Sequence, residues 1–253
     1  MKTSDADVSD EQAKVGEGLR IALISVHGLI RGHDLELGHD ADTGGQTTYV
    51  VELARALGEL QGVARVDLIT RRIDDAGVAN DYAKPLERLS DRANLVRVPA
   101  GGDEYIRKEL LWPHLDEFAA AVQRFYRSQG FTPDVVHGHY ADAGYVGARL
   151  AEAWDRPLVF TGHSLGRNKR RVLRADGMSD EEIEQQYAIS HRIEVEEDVL
   201  KRADLVVAST RQEVVKGYEL YDAAAGATFR VIAPGIDVER FYPYYYDLDE
   251  SFE

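Results

Sequence analysis

The segment from Gly162 to Lys169, Gly-His-Ser-Leu-Gly-Arg-Asn-Lys, contains residue types that could carry two different chemistries. It follows an apolar run over 158–161 that is typical of a buried strand. Gly-x-Ser-x-Gly after a strand is the pattern of a nucleophile elbow, in which a serine is held on a sharp turn. The cations that begin at Arg167 could instead hold a phosphate beside His163, at the end of the strand. The segment thus predicts either a nucleophile or an anion site.

A hydrolase with such an elbow needs an acid and then a histidine after its serine in chain order. Only His191 follows Ser164, and it lies in a stretch over 181–202 whose apolar spacing predicts one long helix. The helix after an elbow must also pack closely on the sheet, whereas four of the five residues over 167–171 are cations. A serine hydrolase that uses Ser164 is therefore a disfavoured alternative.

Glycines mark a second candidate site near the start of the chain. The predicted strand over 21–26 is followed by His27 and, after a loop, by Gly44, Gly45 and Gln46, where a helix is expected to begin. Glycine allows the backbone to pass close to a ligand, and exposed amides at a helix start can hold oxygen atoms. The pair could also serve a tight turn alone, because it completes neither a phosphate loop nor a dinucleotide fingerprint.

Histidines follow two further predicted strands. His137 and His139, with Asp142 nearby, could form a metal site, but no further ligand occurs at a recognisable spacing. The favoured interpretation is that these histidines line a hydrogen-bonding pocket or are buried in the core. Since the carboxyl ends of parallel strands meet at one edge of a sheet, we expect His27, His137 or His139, and His163 to converge there.

Composition limits the function classes. The chain has 253 residues, 44% of them hydrophobic, with a net charge of −15 and no cysteine. The negative charge argues against a nucleic-acid partner, and the lack of cysteine excludes disulfides, thiolate catalysis and cysteine-bound zinc. No apolar run approaches the roughly 20 residues that span a bilayer. The polar, acidic segment over 1–18 predicts a disordered leader, and we expect a cytoplasmic protein without a membrane partner.

The elements that must position these residues alternate between strands and helices. Short apolar runs predict strands over 21–26, 66–70, 95–98, 135–137, 158–161, 205–208 and 230–232. Helical patterns include the stripe Val50, Leu53, Leu57 and Leu60 and the segments 115–126, 143–154 and 181–202. The alternation predicts an α/β fold over 19–235, with a doubly wound, mostly parallel, Rossmann-like sheet. The dense aromatics over 241–246 suggest a surface for a partner or a following domain.

Six motifs occur in the order seen in the sucrose-phosphate synthase family, which this chain resembles over about 19–241. They are the segments 42–46, 107–114, 137–144, 162–169, 192–194 and 209–213. Members of that family are retaining GT-B glycosyltransferases that transfer glucose from UDP-glucose to fructose 6-phosphate. Sucrose synthases are similar but more distant, because their counterpart of 162–169 lacks this pattern.

The resemblance implies a role for each matching residue. His163 would lie beside the reacting carbon as the catalytic residue and hydrogen-bond the transferred glucose. Ser164 would be a turn residue, and no residue would ligate a metal. The residues implied to bind the acceptor, through its sugar or its 6-phosphate, are Gly44, Gly45, Gln46, Lys108, Lys169 and Arg192.

The resemblance also implies the N-terminal half of a GT-B fold. The donor-binding domain would be absent, 236–253 would be an interdomain linker stub, and turnover would need that C-terminal domain in cis or in trans. We expect no resident cofactor, with UDP-glucose as co-substrate and Mg²⁺ at most stimulatory. The alternatives are a sucrose synthase-like or other sugar-phosphate glycosyltransferase and a non-catalytic sugar-phosphate-binding module.

Overall fold

The structure is a computed structural model that describes residues 18–38, 42–236 and 238. Its strands are β1 (Leu19–Ile24), β2 (Val63–Arg71), β3 (Leu86–Arg88), β4 (Ala93–Val98), β5 (Val135–His139), β6 (Leu158–Thr161), β7 (Leu205–Ala208) and β8 (Phe229–Val231). Its α-helices are α1 (Gly45–Glu59), α2 (Leu115–Gln129), α3 (Ala141–Trp154), α4 (Gly166–Ala175), α5 (Asp180–Tyr187), α6 (Ile189–Arg202) and α7 (Arg211–Lys216). The predicted leader, the linker and the aromatic segment over 241–246 lie outside the described residues, apart from Gly18, Ile236 and Val238.

All eight strands form one sheet in the order β3-β4-β2-β1-β5-β6-β7-β8. Every neighbouring pair is parallel except β3 with β4, which is antiparallel. This confirms the predicted α/β fold with a mostly parallel sheet. The strand order reverses at β1, whose neighbours are β2 on one side and β5 on the other. Ligands of open α/β sheets bind at such a reversal, outside the carboxyl ends of the strands.

Strand β1 contributes to the core on both faces of the sheet because its successive side chains point in opposite directions. Leu23 packs in the cluster that contains Val50 of α1, whereas Ile24 belongs to the larger cluster with Phe118 of α2. The stripe predicted for α1 packs on the sheet except for Leu60, which follows the last helical residue and is 52% exposed. No helix among the described residues has both the length and the apolar character needed to cross a membrane.

The single helix predicted over 181–202 is wrong, because the chain forms α5 and α6 with a break at Ala188. Ala188 has left-handed backbone angles, φ 45° and ψ 44°, while its N–H still bonds the Glu184 carbonyl. The Glu184 carboxylate accepts hydrogen bonds of 3.0 and 2.7 Å from the backbone N–H and hydroxyl of Ser190. These polar bonds satisfy the first turn of α6. Apolar periodicity carries no signal for such a break.

Gly138 in β5, near the strand reversal, packs so closely against α3 that a larger side chain does not fit there without a shift. A Cβ at this position would lie 2.7 Å from the Ala143 carbonyl oxygen of α3, so that helix and strand would have to separate. Gly138→Ala is expected to lower the free energy of unfolding by about 1–3 kcal/mol in urea denaturation. Gly226→Ala, where the added Cβ meets no atom of the described residues within 4 Å, should change it by less than about 0.5 kcal/mol. Equal effects would contradict this account.

Candidate functional site

Three histidines from neighbouring strand ends meet at the carboxyl edge of the sheet. His139 Nδ1, at the end of β5, lies 3.0 Å from Nε2 of His163, just after β6. His137, two residues before His139, places its ring centroid 4.0 Å from that of His139. The Tyr49 side chain, in the first turns of α1, contacts the His163 ring edge-on, with 5.0 Å between the ring centroids. The structure thus brings together histidines that are far apart in sequence.

His27, after β1, lies at the same edge but is held by an acid. Its Nδ1 is 2.7 Å from Asp142 Oδ2, and both side chains are buried. His137 Nε2 instead bonds the Thr161 hydroxyl at 2.8 Å. The possible metal ligands His137, His139 and Asp142 therefore point into three separate hydrogen bonds. Within the described residues, no group of three or more histidines and acids has the geometry to hold a metal ion.

The backbone is strained at two positions of this edge. Tyr140, between β5 and α3, has φ 79° and ψ 168°, and His163 has φ 54°. Such angles cost a non-glycine residue about 1–3 kcal/mol and are concentrated at functional sites. In a nucleophile elbow the serine occupies the strained turn, but here His163 does, and the next residue, Ser164, does not. The position of the strained turn therefore indicates His163, and not Ser164, as the candidate functional residue.

Among the residues that the structure describes, no base lies within hydrogen-bond reach of the Ser164 hydroxyl. Its hydroxyl accepts a long hydrogen bond of 3.5 Å from Arg192, whereas the ring of His191 packs against Trp112 at 4.7 Å between centroids. A serine nucleophile needs a histidine within hydrogen-bond reach to take its proton. The geometry supplies a cation there instead.

Lys169 on α4 lies beside this histidine edge without a carboxylate of its own. Its ammonium sits 3.6 Å from the centroid of the Tyr187 ring, and it forms no ion pair with the residues that the structure describes. Burial, together with the positive charges of Lys108 and Arg192, lowers the pKa of Lys169 to about 8. The charge of Lys169 is thus opposed by two neighbouring cations, and Glu109 and Asp42 offset this effect only in part. An anion bound beside the ammonium would relieve the repulsion.

Lys108 differs from Lys169 because two acids already neutralise it. Its ammonium bonds the carboxylate of Asp42 and lies 3.2 Å from Glu109, and its backbone N–H donates to Asp42 over 2.8 Å. Burial opposes the charge, but the hydrogen bond and charge of Asp42 raise the pKa of Lys108 above its ordinary value. To hold a phosphate, Lys108 would have to exchange one of these partners.

Arg192 is almost fully buried and is anchored by an acid that sequence reasoning missed. Its Nε donates to Glu196 over 2.9 Å, and its guanidinium also donates to the Ser164 carbonyl. Glu196 accepts a second bond, 2.9 Å long, from the backbone N–H of Gly166, and a third from the Tyr221 hydroxyl. The spacing of four residues between Arg192 and Glu196 on one helix was the available signal. Together these bonds fix the loop that carries His163.

The glycine pair at the start of α1 leaves free space at the strand reversal. A Cβ on Gly44 or on Gly45 would meet no atom of the described residues within 4 Å. Gln46 reaches across the reversal, since its side-chain amide donates to the Ser25 hydroxyl over 3.2 Å and to the His139 carbonyl over 3.4 Å. The exposed amides of a helix N-terminus attract oxygen atoms with negative charge. The geometry thus leaves room for a polar ligand here.

A cavity of about 390 Å³ lies between His163 and Lys169. His163, Ser164 and Lys169 line it, and so does Glu213 of α7, the last residue of the motif 209–213, for which no role was predicted. Small-molecule sites have volumes of roughly 300–1,000 Å³. The cavity therefore has room for a small polar molecule that touches both the histidine and the lysine.

Relatives of known family share this sequence over most of its length. A model of the glycosyl transferase 4-like domain matches residues 44–235. Sucrose-phosphate synthase 4 of Arabidopsis thaliana is 46% identical over 241 residues, which cover 87% of this chain and 23% of that protein. The probable sucrose-phosphate synthase 1 of Craterostigma plantagineum is 40% identical and matches 94% of this chain and 27% of that protein. The chain thus spans about a quarter of the length of these relatives.

Solved structures agree with the fold. The sucrose-phosphate synthase from Thermosynechococcus elongatus superposes with a TM-score of 0.68 at 28% identity, over 89% of this chain and 50% of that one. The catalytic domain of starch synthase IV from Arabidopsis thaliana shares the fold, with a TM-score of 0.51 at 14% identity. The chain therefore belongs to the glycosyl transferase 4-like domain family, as a homologue of sucrose-phosphate synthases that corresponds to the N-terminal half of their GT-B fold.

Proposed function

We propose that this chain is the acceptor-binding half of a sucrose-phosphate synthase-like enzyme that transfers glucose from UDP-glucose to fructose 6-phosphate with retention. The observation that carries the proposal is that Lys169, which forms no ion pair with the described residues, lies in one cavity with His163. A phosphate monoester has two negative charges and acceptor oxygens, so that it suits a half-buried ammonium between other cations. The relatives named as sucrose-phosphate synthases support this choice of acceptor.

Each part of the site has a task in this proposal. Lys169 binds the 6-phosphate, and Arg192 adds positive charge from its anchored position beside it. Lys108 joins after it exchanges Asp42 for the phosphate. The sugar then extends toward the strand reversal, where the amides at Gly44 and Gly45 and the side chain of Gln46 can bind its hydroxyls. His163, at the strained turn, meets the reacting carbon and orders the groups around it.

The other substrate needs a second domain. In the proposal UDP-glucose is held by a donor-binding domain, supplied in cis or in trans, that closes over the same edge of the sheet. The reaction uses no resident cofactor, and Mg²⁺ is at most stimulatory. We propose that the protein works in the cytoplasm, as expected from its sequence.

Calorimetric titration of the chain tests the proposal with fructose 6-phosphate as ligand and fructose as control. Binding that depends on the phosphate is the expected result. Equal binding of both sugars would favour a sucrose synthase-like enzyme, whose acceptor is unphosphorylated. Ser164→Ala should leave the affinity for the sugar phosphate largely intact, because its hydroxyl makes one long bond. Ester hydrolysis abolished by this change would instead establish the serine hydrolase.

Activity added by a donor half distinguishes an enzyme from a binding module. Mixing the chain with the separately expressed C-terminal domain of a sucrose-phosphate synthase should produce sucrose 6-phosphate from the two substrates. Phosphate-dependent binding by the chain, with no product from a mixture in which the two domains associate, would identify a non-catalytic sugar-phosphate-binding module.

The affinity for a sugar phosphate should fall in alkaline solution. Only the protonated Lys169 attracts the phosphate, and its pKa is lowered to about 8. The dissociation constant should therefore be constant near pH 7, where the phosphate is already mostly dianionic, and rise as pH increases through and above 8. Lys169→Arg should remove this rise, since arginine stays protonated. Titrations from pH 7 to 10 would reveal it, and an identical profile in both proteins would contradict the role of Lys169.

A further inference from the structure

The contact between His139 and His163 decides which nitrogen of each ring carries a proton. Their nitrogens, Nδ1 of His139 and Nε2 of His163, are 3.0 Å apart, so one must donate and the other accept. Burial lowers the pKa of His163 to about 4 and that of His139 well below its ordinary value. Both rings are therefore neutral near pH 7 and have one proton each. The direction of this one bond sets the tautomer of both.

His139 can donate this bond at a lower cost than it can accept it. Its ring is completely buried, and its Nε2 has no hydrogen-bond partner in the part of the chain that the structure describes. A buried N–H without an acceptor is rarer and more costly than an acceptor nitrogen left unpaired. The proton of His139 therefore belongs on Nδ1, which donates it to Nε2 of His163.

We infer that His139 is a positioning residue that keeps the proton of His163 on Nδ1, so that His163 presents an N–H donor to the cavity. Nε2 of His163 is occupied as an acceptor. Nδ1 forms no hydrogen bond with the described residues and is not a buried atom, and the ring lines the cavity. A ligand must then offer an oxygen lone pair at this point, as a hydroxyl or a carbonyl does.

The consequence for catalysis rests on the proposed function. In that reaction the oxygen belongs to one of the two sugars, and His163 donates a hydrogen bond to it. Nδ1 cannot also accept the proton of the acceptor hydroxyl while it holds its own. His163 thus orders and stabilises the reacting sugar and does not act as its general base.

Nitrogen NMR of the whole chain labelled with ¹⁵N-histidine measures this tautomer directly, at pH 7 and without ligand. Protonated and unprotonated ring nitrogens have widely separated ¹⁵N shifts, and the His163 signals are those lost in His163→Asn. We expect His163 to show a protonated Nδ1 and an unprotonated Nε2. A protonated Nε2 would overturn the inference. Because no ligand is present, this result is independent of whether the chain binds a sugar phosphate.

Two matched variants test the dependence on His139. His139→Leu removes the donor, so the His163 proton should return to Nε2, the nitrogen that a free histidine side chain favours. His137→Leu removes the adjacent ring, which bonds Thr161 and not His163, so the tautomer should stay unchanged. A shift of equal size in both variants, or none in His139→Leu, would contradict the inference. If His139→Leu does not fold, the spectrum of the unsubstituted chain decides alone.

Discussion

Lys169→Ala is expected to weaken the binding of fructose 6-phosphate about 30- to 150-fold, to near the affinity for fructose. The ammonium is half-buried beside Lys108 and Arg192 and forms no ion pair with the described residues. Removing one partner of a buried charge pair costs about 2 kcal/mol or more, and 1.4 kcal/mol corresponds to a factor of ten in affinity. Because Lys108 is neutralised by Asp42, it cannot replace the lost charge fully. Calorimetry with both sugars measures the effect.

Arg171→Ala is the matched control for this variant. Arg171 is two residues further along the same helix and is exposed, so that its removal takes one positive charge from α4 without touching the cavity. Its effect should stay below about threefold and should decrease with added salt, as for any distant surface charge. An equal loss in both variants would mean that the phosphate senses only the general charge of α4. An unchanged affinity in Lys169→Ala would contradict the proposed binding of the phosphate by Lys169.

Glu196→Gln is expected to cost about 3–5 kcal/mol of the free energy of unfolding. The carboxylate is 1% exposed and accepts hydrogen bonds from Arg192, the Gly166 N–H and the Tyr221 hydroxyl. The neutral amide would leave the buried guanidinium of Arg192 without a counter-charge, which is the costly way to break a buried ion pair. Urea denaturation followed by circular dichroism gives the difference. The loss is a large part of the stability of an ordinary domain.

Two further variants show whether charge is the cause. Glu194→Gln, at an exposed position of the same helix, should change the free energy of unfolding by less than about 0.5 kcal/mol. The double variant Arg192→Met with Glu196→Leu removes both charges and should be less destabilised than Glu196→Gln, because no unpaired charge is left in the core. A double variant that is less stable than Glu196→Gln would show that the hydrogen bonds to Gly166 and Tyr221 matter more than the ion pair.

The fold was predictable because its signal is local. Short apolar runs followed by helical patterns can be recognised without knowledge of distant residues, since a strand buried on both faces must be apolar throughout. The seven predicted strands all occur, two of them, β6 and β7, with the predicted ends and the others with ends that differ by a few residues. The edge strand β3 was missed because its sequence, Leu-Glu-Arg, contains no apolar run. The break at Ala188 was missed because polar side chains, not apolar spacing, cause it.

The chemistry of the site was predictable only as a set of residue types. The sequence by itself determined that histidines follow several strands, that glycines precede α1 and that cations follow His163, because strand ends and helix starts are encoded locally. The sequence could not show which of these cations has an acid as a partner and which can bind a ligand. Lys108 and Lys169 both lie in motifs shared with the sucrose-phosphate synthase family. In the folded chain, however, the ammonium of Lys108 pairs with the carboxylate of Asp42, whereas that of Lys169 lies over the ring of Tyr187.

The tertiary structure alone decided the arrangement of charges and protons. Glu196 meets Gly166 and Tyr221 across distances of 30 and 25 residues in sequence, and His139 meets His163 across 24. The energies of these contacts depend on the burial of both partners and on the atoms left without partners, which are properties of the packed chain. The sequence by itself therefore determined the sheet and the candidate residues, whereas only the packing of distant segments decided which of them are free, neutral or anchored.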